Sequence, residues 1–397
     1  MKFKEKSTDD NMLDLTLSEM NRLVLYKQHL VNESRTKNIV KIVKEIGGLH
    51  ATSTKVPYQS LFARIPNFSK KDLDEELLVK RNLGKIRSIR GTLYIFPKEV
   101  IPIIHVATNK IVESQSRKAL EFRGISSDKY KEISESIISI LRDKKEEMSA
   151  SEIKKALQVN YESISYILYL MCDQALLIRS SPRKYTSFNV YFPDIDFSQI
   201  DEEQAITQLV QYYLTAFGPV SENDAVWWTG LSKTNIIQAL NHIQDRILYV
   251  KITNLNTDLM MLASDKDMID SIPSSKNQIV NFLPMLDPYI MGYKERDRYI
   301  SSARYNFVFD RTGNATSSIL LNGRIIGVWD VFQGGKPQLK LFLFEKTEKN
   351  IKNEIKIQAK RLGRFITNKD VLIQECDSMI PLTERSAGSF MSPLKEF

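Results

Sequence analysis

The chain is poor in the residues from which metal sites, disulfide frameworks and membrane spans are built. Its 397 residues include two cysteines, Cys172 and Cys376, and four histidines. Two cysteines so far apart form neither a disulfide framework nor a metal-ligand cluster, and scattered histidines argue against a zinc site. Cys172 lies within an apolar helical stretch, ISYILYLMCDQALL, and reads as a buried small hydrophobe. No apolar run approaches bilayer length, which argues against a membrane protein. The opening residues MKFKEKSTDDN lack a secretory apolar core, so the expected setting is cytoplasmic. Neither a glycine-rich dinucleotide fingerprint nor a Walker sequence appears, and no cofactor is expected.

What is present is a grammar repeated three times: two or three short helices, then a β-hairpin. The hairpins are expected at residues 86–96 (IRSIRGTLYIF), 176–192 (LLIRSSPRKYTSFNVYF) and 247–263 (ILYVKITNLNTDLMMLA). Helices closed by a two-stranded hairpin are the winged-helix variant of helix-turn-helix, which lays one helix in a DNA groove and leans its hairpin on phosphates. The repeats share pattern rather than sequence. A net charge of +8 and a pI near 9.1 add the footprint of a polyanion binder, although lysine-rich composition alone also has a bland origin. The expected partner is double-stranded DNA, with no obligate protein partner.

The first unit is expected to open with a helix over residues 17–30, with Met20, Leu23, Val24 and His29 on one period. Thr36 is expected to cap the next helix, which carries Ile39, Ile42, Val43 and Ile46 and stops at Gly47-Gly48. Helices over 57–65 and 70–80 lead into the first hairpin. Pro97 and Pro102 frame another helix, and 124–145 reads as a charged connector. In the second unit Ser149 and Glu152 have capping-box spacing, and 161–177 fills the recognition-helix slot. In the third, residues 232–243 fill that slot, with Lys233 near its start, and Trp227 and Trp228 read as core. From residue 278 the pattern turns to strands. A tight Asn322-Gly323 hairpin and a second turn at Gly334-Gly335 make a meander suited to a small barrel. A last helix over 347–366 buries Ile351, Ile355, Ala359, Leu362 and Phe365 and exposes a basic face, and the tail after Pro381 is expected to be mobile at its end. The fold class expected is therefore α+β, with three tandem winged helices, a small C-terminal β-barrel and a terminal helix. The expected divisions are 14–110, a helical connector over 111–147, then 148–200, 201–275 and 276–397.

Four segments carry a resemblance when read together: GGLHAT (47–52), IRGTLY (89–94), AFGPV (216–220) with VWWTG (226–230), and FLPMLDPY (282–289). In this order the chain resembles, from about residue 17 to 366, the winged-helix DNA glycosylases typified by AlkZ, a family that includes the YcaQ/AlkX-type enzymes. The resemblance implies tandem winged helices and a β-barrel around a basic channel, and removal of alkylated purines, crosslinked ones included, from DNA. The family carries Gln-x-Gln or Gln-x-Asp where this chain has His50 and Thr52. In the family those side chains position the water that attacks the sugar.

His50 with a pKa near neutrality could orient that water or accept its proton, and Thr52 could hydrogen-bond it. Both could equally serve the local backbone. Asp287 either stabilises a cationic sugar or anchors a loop through arginines. The expected DNA contacts are Arg90, the hairpin-tip pair Arg183 and Lys184, Lys233, and the run Lys294, Arg296, Arg298 and Arg304. The function expected is that of a monofunctional glycosylase of alkylated purines. The alternative is a non-catalytic winged-helix DNA binder that lacks the Gln pair.

Overall fold

Capping chemistry decides where the helices start. The computed structural model describes residues 12–144, 146–158, 163–181, 183–253, 255, 257–272, 278–333 and 335–384. After a short strand β1 (Met12–Leu15), helix α1 (Leu17–Lys27) starts at Thr16 in a reciprocal capping box with Glu19. It ends earlier than its apolar period suggests, because His29 takes a left-handed φ of 55°. Helix α2 (Ile39–Glu45) is capped by Asn38, whose Oδ1 accepts the Lys41 N–H at 2.9 Å; Thr36, expected in that role, instead accepts the Asn38 N–H. Gly47 and Gly48, at φ of 80° and 86°, stop α2 and turn the chain into β2 (Leu49–His50). Helices α3 (Val56–Phe62) and α4 (Lys70–Asp74), the latter prolonged by a π turn at Glu75–Val79, precede the hairpin β3 (Leu83–Arg87) and β4 (Leu93–Pro97). The strands order β2-β4-β3.

The connector is two helices, α5 (Ile101–Glu121) and α6 (Ser127–Lys144), and the same grammar then repeats. Strand β5 (Met148–Ser149), α7 (Ala150–Ala156) with the expected Ser149–Glu152 capping box, and α8 (Ile164–Asp173) lead to β6 (Leu177–Ser181) and β7 (Lys184–Ser187), ordered β5-β7-β6. The hairpin is shorter than expected. Residues Phe188–Tyr191 form a helical turn, α9, because Phe188 and Tyr191 drop into the core.

The third round is α10 (Glu202–Phe217), α11 (Glu222–Thr229), α12 (Lys233–His242), then β8 (Ile247–Ile252) and β9 (Leu259–Leu262), followed by α13 (Asp265–Ser271). Here the short first strand shrinks to a bridge between Val220 and Met260, and β1 joins the edge parallel to β8.

The C-terminal strands do not close into the expected barrel. They are β10 (Val280–Leu283), then, after the short helices α14 (Pro288–Met291) and α15 (Tyr305–Val308), β11 (Ser318–Leu321), β12 (Arg324–Phe332) and β13 (Gln338–Leu343). Helix α16 (Lys349–Thr367) crosses over to β14 (Leu372–Glu375). The sheet is open, ordered β10-β11-β12-β13-β14. Ile351, Ile355, Ala359 and Leu362 of α16 pack with Phe282, Ile319, Trp329 and Leu341 in one cluster, so a helix buries the apolar face that barrel closure would otherwise bury. The Asn322-Gly323 turn is present, at φ of 49° and 83°. Of the second turn, Gly334 lies outside the described residues, as do Pro182 at the second hairpin tip, 161–162 of the expected recognition helix, and the tail from residue 385. Among the described residues no helix is long and apolar enough to cross a membrane, and no group of three or more His, Cys, Asp or Glu is placed to hold a metal.

Candidate functional site

Segments as far apart as residues 47 and 292 meet on the ring of Phe217. A Cβ on Gly47 would lie 2.5 Å from that ring, and one on Gly292 would lie 2.4 Å from it, so both positions admit glycine alone without a shift of the aromatic. Tyr293 donates its hydroxyl to the Phe217 carbonyl at 2.9 Å, and Tyr213 donates to the Gly292 carbonyl at 2.7 Å. Trp228 is buried on Tyr213 and Phe217, as expected of a core residue. Its neighbour Trp227 is half-buried and takes the Arg90 guanidinium on its face at 3.9 Å. Arg90 itself sits at a left-handed φ of 51°, its main chain 3.5 Å from where a Cβ of Gly230 would be. The GGLHAT strand, the IRGTLY turn, the end of the VWWTG helix and the loop after FLPMLDPY thus form one contiguous structure.

His50 sits in β2 opposite Tyr94, with ring centroids 5.1 Å apart. It does not face an open channel: the residue is 4% exposed, and its Nδ1 is buried without a hydrogen-bond partner. Burial first, and then the nearby charge of Arg90, push the imidazole pKa down to about 4, so the expected pKa near neutrality does not hold. Strand β2 ends at His50 and the chain bends at Thr52, which is exposed. The i, i+2 pair therefore does not present one face, as an extended strand would require.

The structure encloses Asp287. Its carboxylate accepts two N–H groups of Arg64, both at 2.8 Å, and the Tyr289 N–H at 3.0 Å, and both charged side chains are fully buried. Arg296 and Arg298 are enclosed as well. Arg296 donates to the carbonyls of Tyr293 and Gly313 and to the Tyr305 hydroxyl, over the Phe309 ring. Arg298 donates to the Pro219 carbonyl at 2.7 Å and lies 3.5 Å from Asp224. The run expected to grip phosphate is thus mostly an internal clamp. Only Lys294 is exposed, and the half-buried Arg304 donates to the Phe344 carbonyl. Lys233 is exposed but paired with Glu222 at 2.6 Å. Arg183 and Lys184 are both exposed at the hairpin tip.

Thr52 lines a cleft of about 410 Å³ between the β3–β4 hairpin, α5, α8 and β6. At its wall the Arg87 guanidinium donates to Asp173 at 2.7 Å, to Ser116 at 2.6 Å, to Gln115 at 2.8 Å and to the Gly91 carbonyl at 2.8 Å. Ser116 donates to the same oxygen of Asp173 at 2.5 Å. Burial raises the Asp173 pKa to about 6, outweighing the lowering effect of Ser116 and Arg87. Sequence reasoning passed over this group. Its one signal was a carboxylate closing an otherwise apolar helix, ISYILYLMCD.

Residues 43–365 match the family profile described as DNA glycosylase AlkZ-like. A search of curated proteins finds no match. Among solved structures, the Streptomyces sahachiroi DNA glycosylase AlkZ superposes with a TM-score of 0.75 at 14% identity, over 92% of this chain and 100% of that one.

Proposed function

The chain belongs to the AlkZ-like DNA glycosylase family, and from that premise we propose that it is a monofunctional glycosylase that hydrolyses the N-glycosidic bond of alkylated purines in duplex DNA. The observation that carries this reading is the contiguity of the four distant segments around Phe217 and Trp227, which sets the Thr52 bend, just after the His50 strand, beside a cleft. We read the three helix–strand–hairpin rounds as tandem winged helices, divided near residues 110–147 and 200. In the first two rounds the short strand lies beside the last strand of the hairpin, as the winged-helix topology requires.

An N7-alkylated purine is already cationic and leaves as a neutral base. Water oxygen bonds to C1′, the C1′–N9 pair departs with the base, and one water proton is lost. What the protein must supply is an oriented water. Thr52 is exposed at the cleft, and the buried His50 Nδ1 two residues before it has no partner within the fold, so the attacking water is assigned to Thr52, and His50, which faces no open channel, is assigned to a water hydrogen-bonded behind it. With a pKa near 4 the imidazole is neutral at pH 7 and works as a hydrogen-bonding group rather than as a strong base. That same weakness, with no Gln pair, favours a second reading: a non-catalytic DNA-binding protein on this scaffold. Incubation with duplex DNA carrying one N7-methylguanine decides between them. Release of the base and an alkali-labile abasic site are expected; tight duplex binding with no release from any alkylated duplex would establish the second reading.

Both readings require DNA contact through the exposed cations Arg183 and Lys184. Replacing both with alanine is expected to weaken duplex binding and to flatten the slope of log K against log salt by about 1.8, the release of two phosphates' counterions. Unchanged affinity and slope in a salt titration would take that hairpin tip off the DNA path.

A further inference from the structure

Helix α16 exposes a basic face that neither the cleft nor the internal arginine clamp uses. Charge is spread unevenly along the chain. Residues 201–275 hold ten Asp and Glu against four Lys and Arg, so the net charge of +8 originates outside the third round. Residues 345–369 hold eight Lys and Arg against three Asp and Glu. Within that segment Lys352 is paired with Glu375 and Arg364 with Asp370. Lys349, Lys356, Lys360 and Arg361 are exposed and are paired with no carboxylate among the described residues. Positions 349, 356 and 360 follow the helical repeat on the side away from the buried Ile351, Ile355 and Ala359, so they form one row, with Arg361 at its flank.

Two cations of the first round join this row. Phe62 at the end of α3 and Phe365 of α16 stack with ring centroids 4.3 Å apart. Each ring carries a cation: Arg361 lies 5.1 Å from Phe62, and Lys70 lies 5.2 Å from Phe365. Arg35, in the loop before α2, is half-buried. Burial first, and then the nearby charge of Arg361, lower its pKa, while Glu33 opposes the shift without forming an ion pair. The Arg35 Nε is buried and has no hydrogen-bond partner. Two guanidinium groups of like charge, one with an unused buried donor, are the donor set of an anion site.

The row's length selects the anion. From Lys349 to Lys360 the helix rises about 17 Å, or about five base steps of a duplex, too long for a single phosphate. Helix α3 begins just after the Thr52 bend and covers about 10 Å before it ends at Phe62, so one duplex can meet both places. We propose that the outer face of α16, with Arg35 and Lys70, binds backbone phosphates of duplex DNA at the far end of α3 from Thr52. The acidic third round, whose Lys233 is spent on Glu222, lies off that track. The proposal rests on the DNA-glycosylase reading for its ligand, but not on any catalytic step.

The test uses the full chain and unalkylated duplex DNA, so that it stays independent of base release. Two triple variants lose the same net charge in different places. Lys356→Gln, Lys360→Gln, Arg361→Gln on α16 is expected to weaken binding and to flatten the slope of log K against log salt by about 2.7, the counterions of three phosphates. Arg246→Gln, Lys251→Gln, Lys266→Gln on the third round, all exposed, should leave the slope unchanged. Equal effects of the two variants would reduce the result to net charge, and an unchanged slope in the α16 variant would remove the contact; either overturns the proposal. Arg35→Gln should weaken duplex binding without lowering the urea-unfolding midpoint, because it removes a charge that the fold does not pair. A lowered midpoint with unchanged binding would make Arg35 a structural residue and overturn its part. Stabilisation by inorganic phosphate that the α16 variant loses, with its DNA slope intact, would assign the arginines to a free anion and overturn the DNA part. Failure to release N7-methylguanine, alongside the expected loss of slope, would remove the glycosylase reading and leave the surface assigned.

Discussion

Asp287→Ala is expected to destabilise the protein by about 3–5 kcal/mol, the cost of leaving a buried charge without its partner. The Arg64 guanidinium is fully enclosed, and its other bonds go to the backbone carbonyls of Gln28 and Ser60, each at 2.9 Å, and to the Gln28 side-chain oxygen at 3.5 Å, none of which neutralises it. Asp287 also caps α14 through the Tyr289 N–H, so the same change frees a helix start. The pair ties the segment after α3 to the loop following β10, elements more than 200 residues apart in sequence. A urea-unfolding midpoint measures the loss. The double change Arg64→Met, Asp287→Leu should recover most of it, because removing both charges removes the unpaired one. If Asp287→Ala unfolded like the wild type but lost base release, the carboxylate would belong to the chemistry and not to the fold.

Much of the architecture was legible because it rests on local chemistry. The Ser149 capping box, the glycine pair after α2 and the Asn322-Gly323 turn each act within a few residues, and the sequence shows them directly. The open C-terminal sheet was not legible. Whether five strands close depends on α16 crossing to place β14 parallel beside β13, a pairing with no sequence signal. Strand β1 joining β8 across more than 200 residues was hidden for the same reason. At the site, residue types were readable and burial was not. Arg296 and Arg298 look in sequence like solvent-facing phosphate ligands, but they are consumed by carbonyls and by Asp224. The Arg87–Asp173–Ser116 group was missed because its members come from three elements, β3, α8 and α5, and the contact exists only in the fold.

His50→Ala is expected to slow release of N7-methylguanine by about 10- to 100-fold, the worth of one hydrogen bond to a charged transition state. Duplex affinity should change little, since the ring is enclosed between β2 and Tyr94 and not on an exposed face. The pH profile tests the assignment more sharply than the rate. The imidazole holds water in its neutral form, and its pKa is lowered to about 4 by burial and by Arg90. Lowering the pH protonates the acceptor nitrogen, so activity falls on the acid side, and it does so near pH 4 rather than near the ordinary histidine value of about 6.5. The rate should therefore stay flat from pH 8 to about 5. Arg90→Met removes the second cause of the shift and should move the acid limb upward. Thr52→Ala should cost less than His50→Ala, because an exposed hydroxyl can be replaced by a second water. Equal rates for the wild type and His50→Ala would shift the water to the cleft carboxyl of Asp173. Its raised pKa of about 6 would then give an acid limb near that value, which Asp173→Asn would abolish together with the activity.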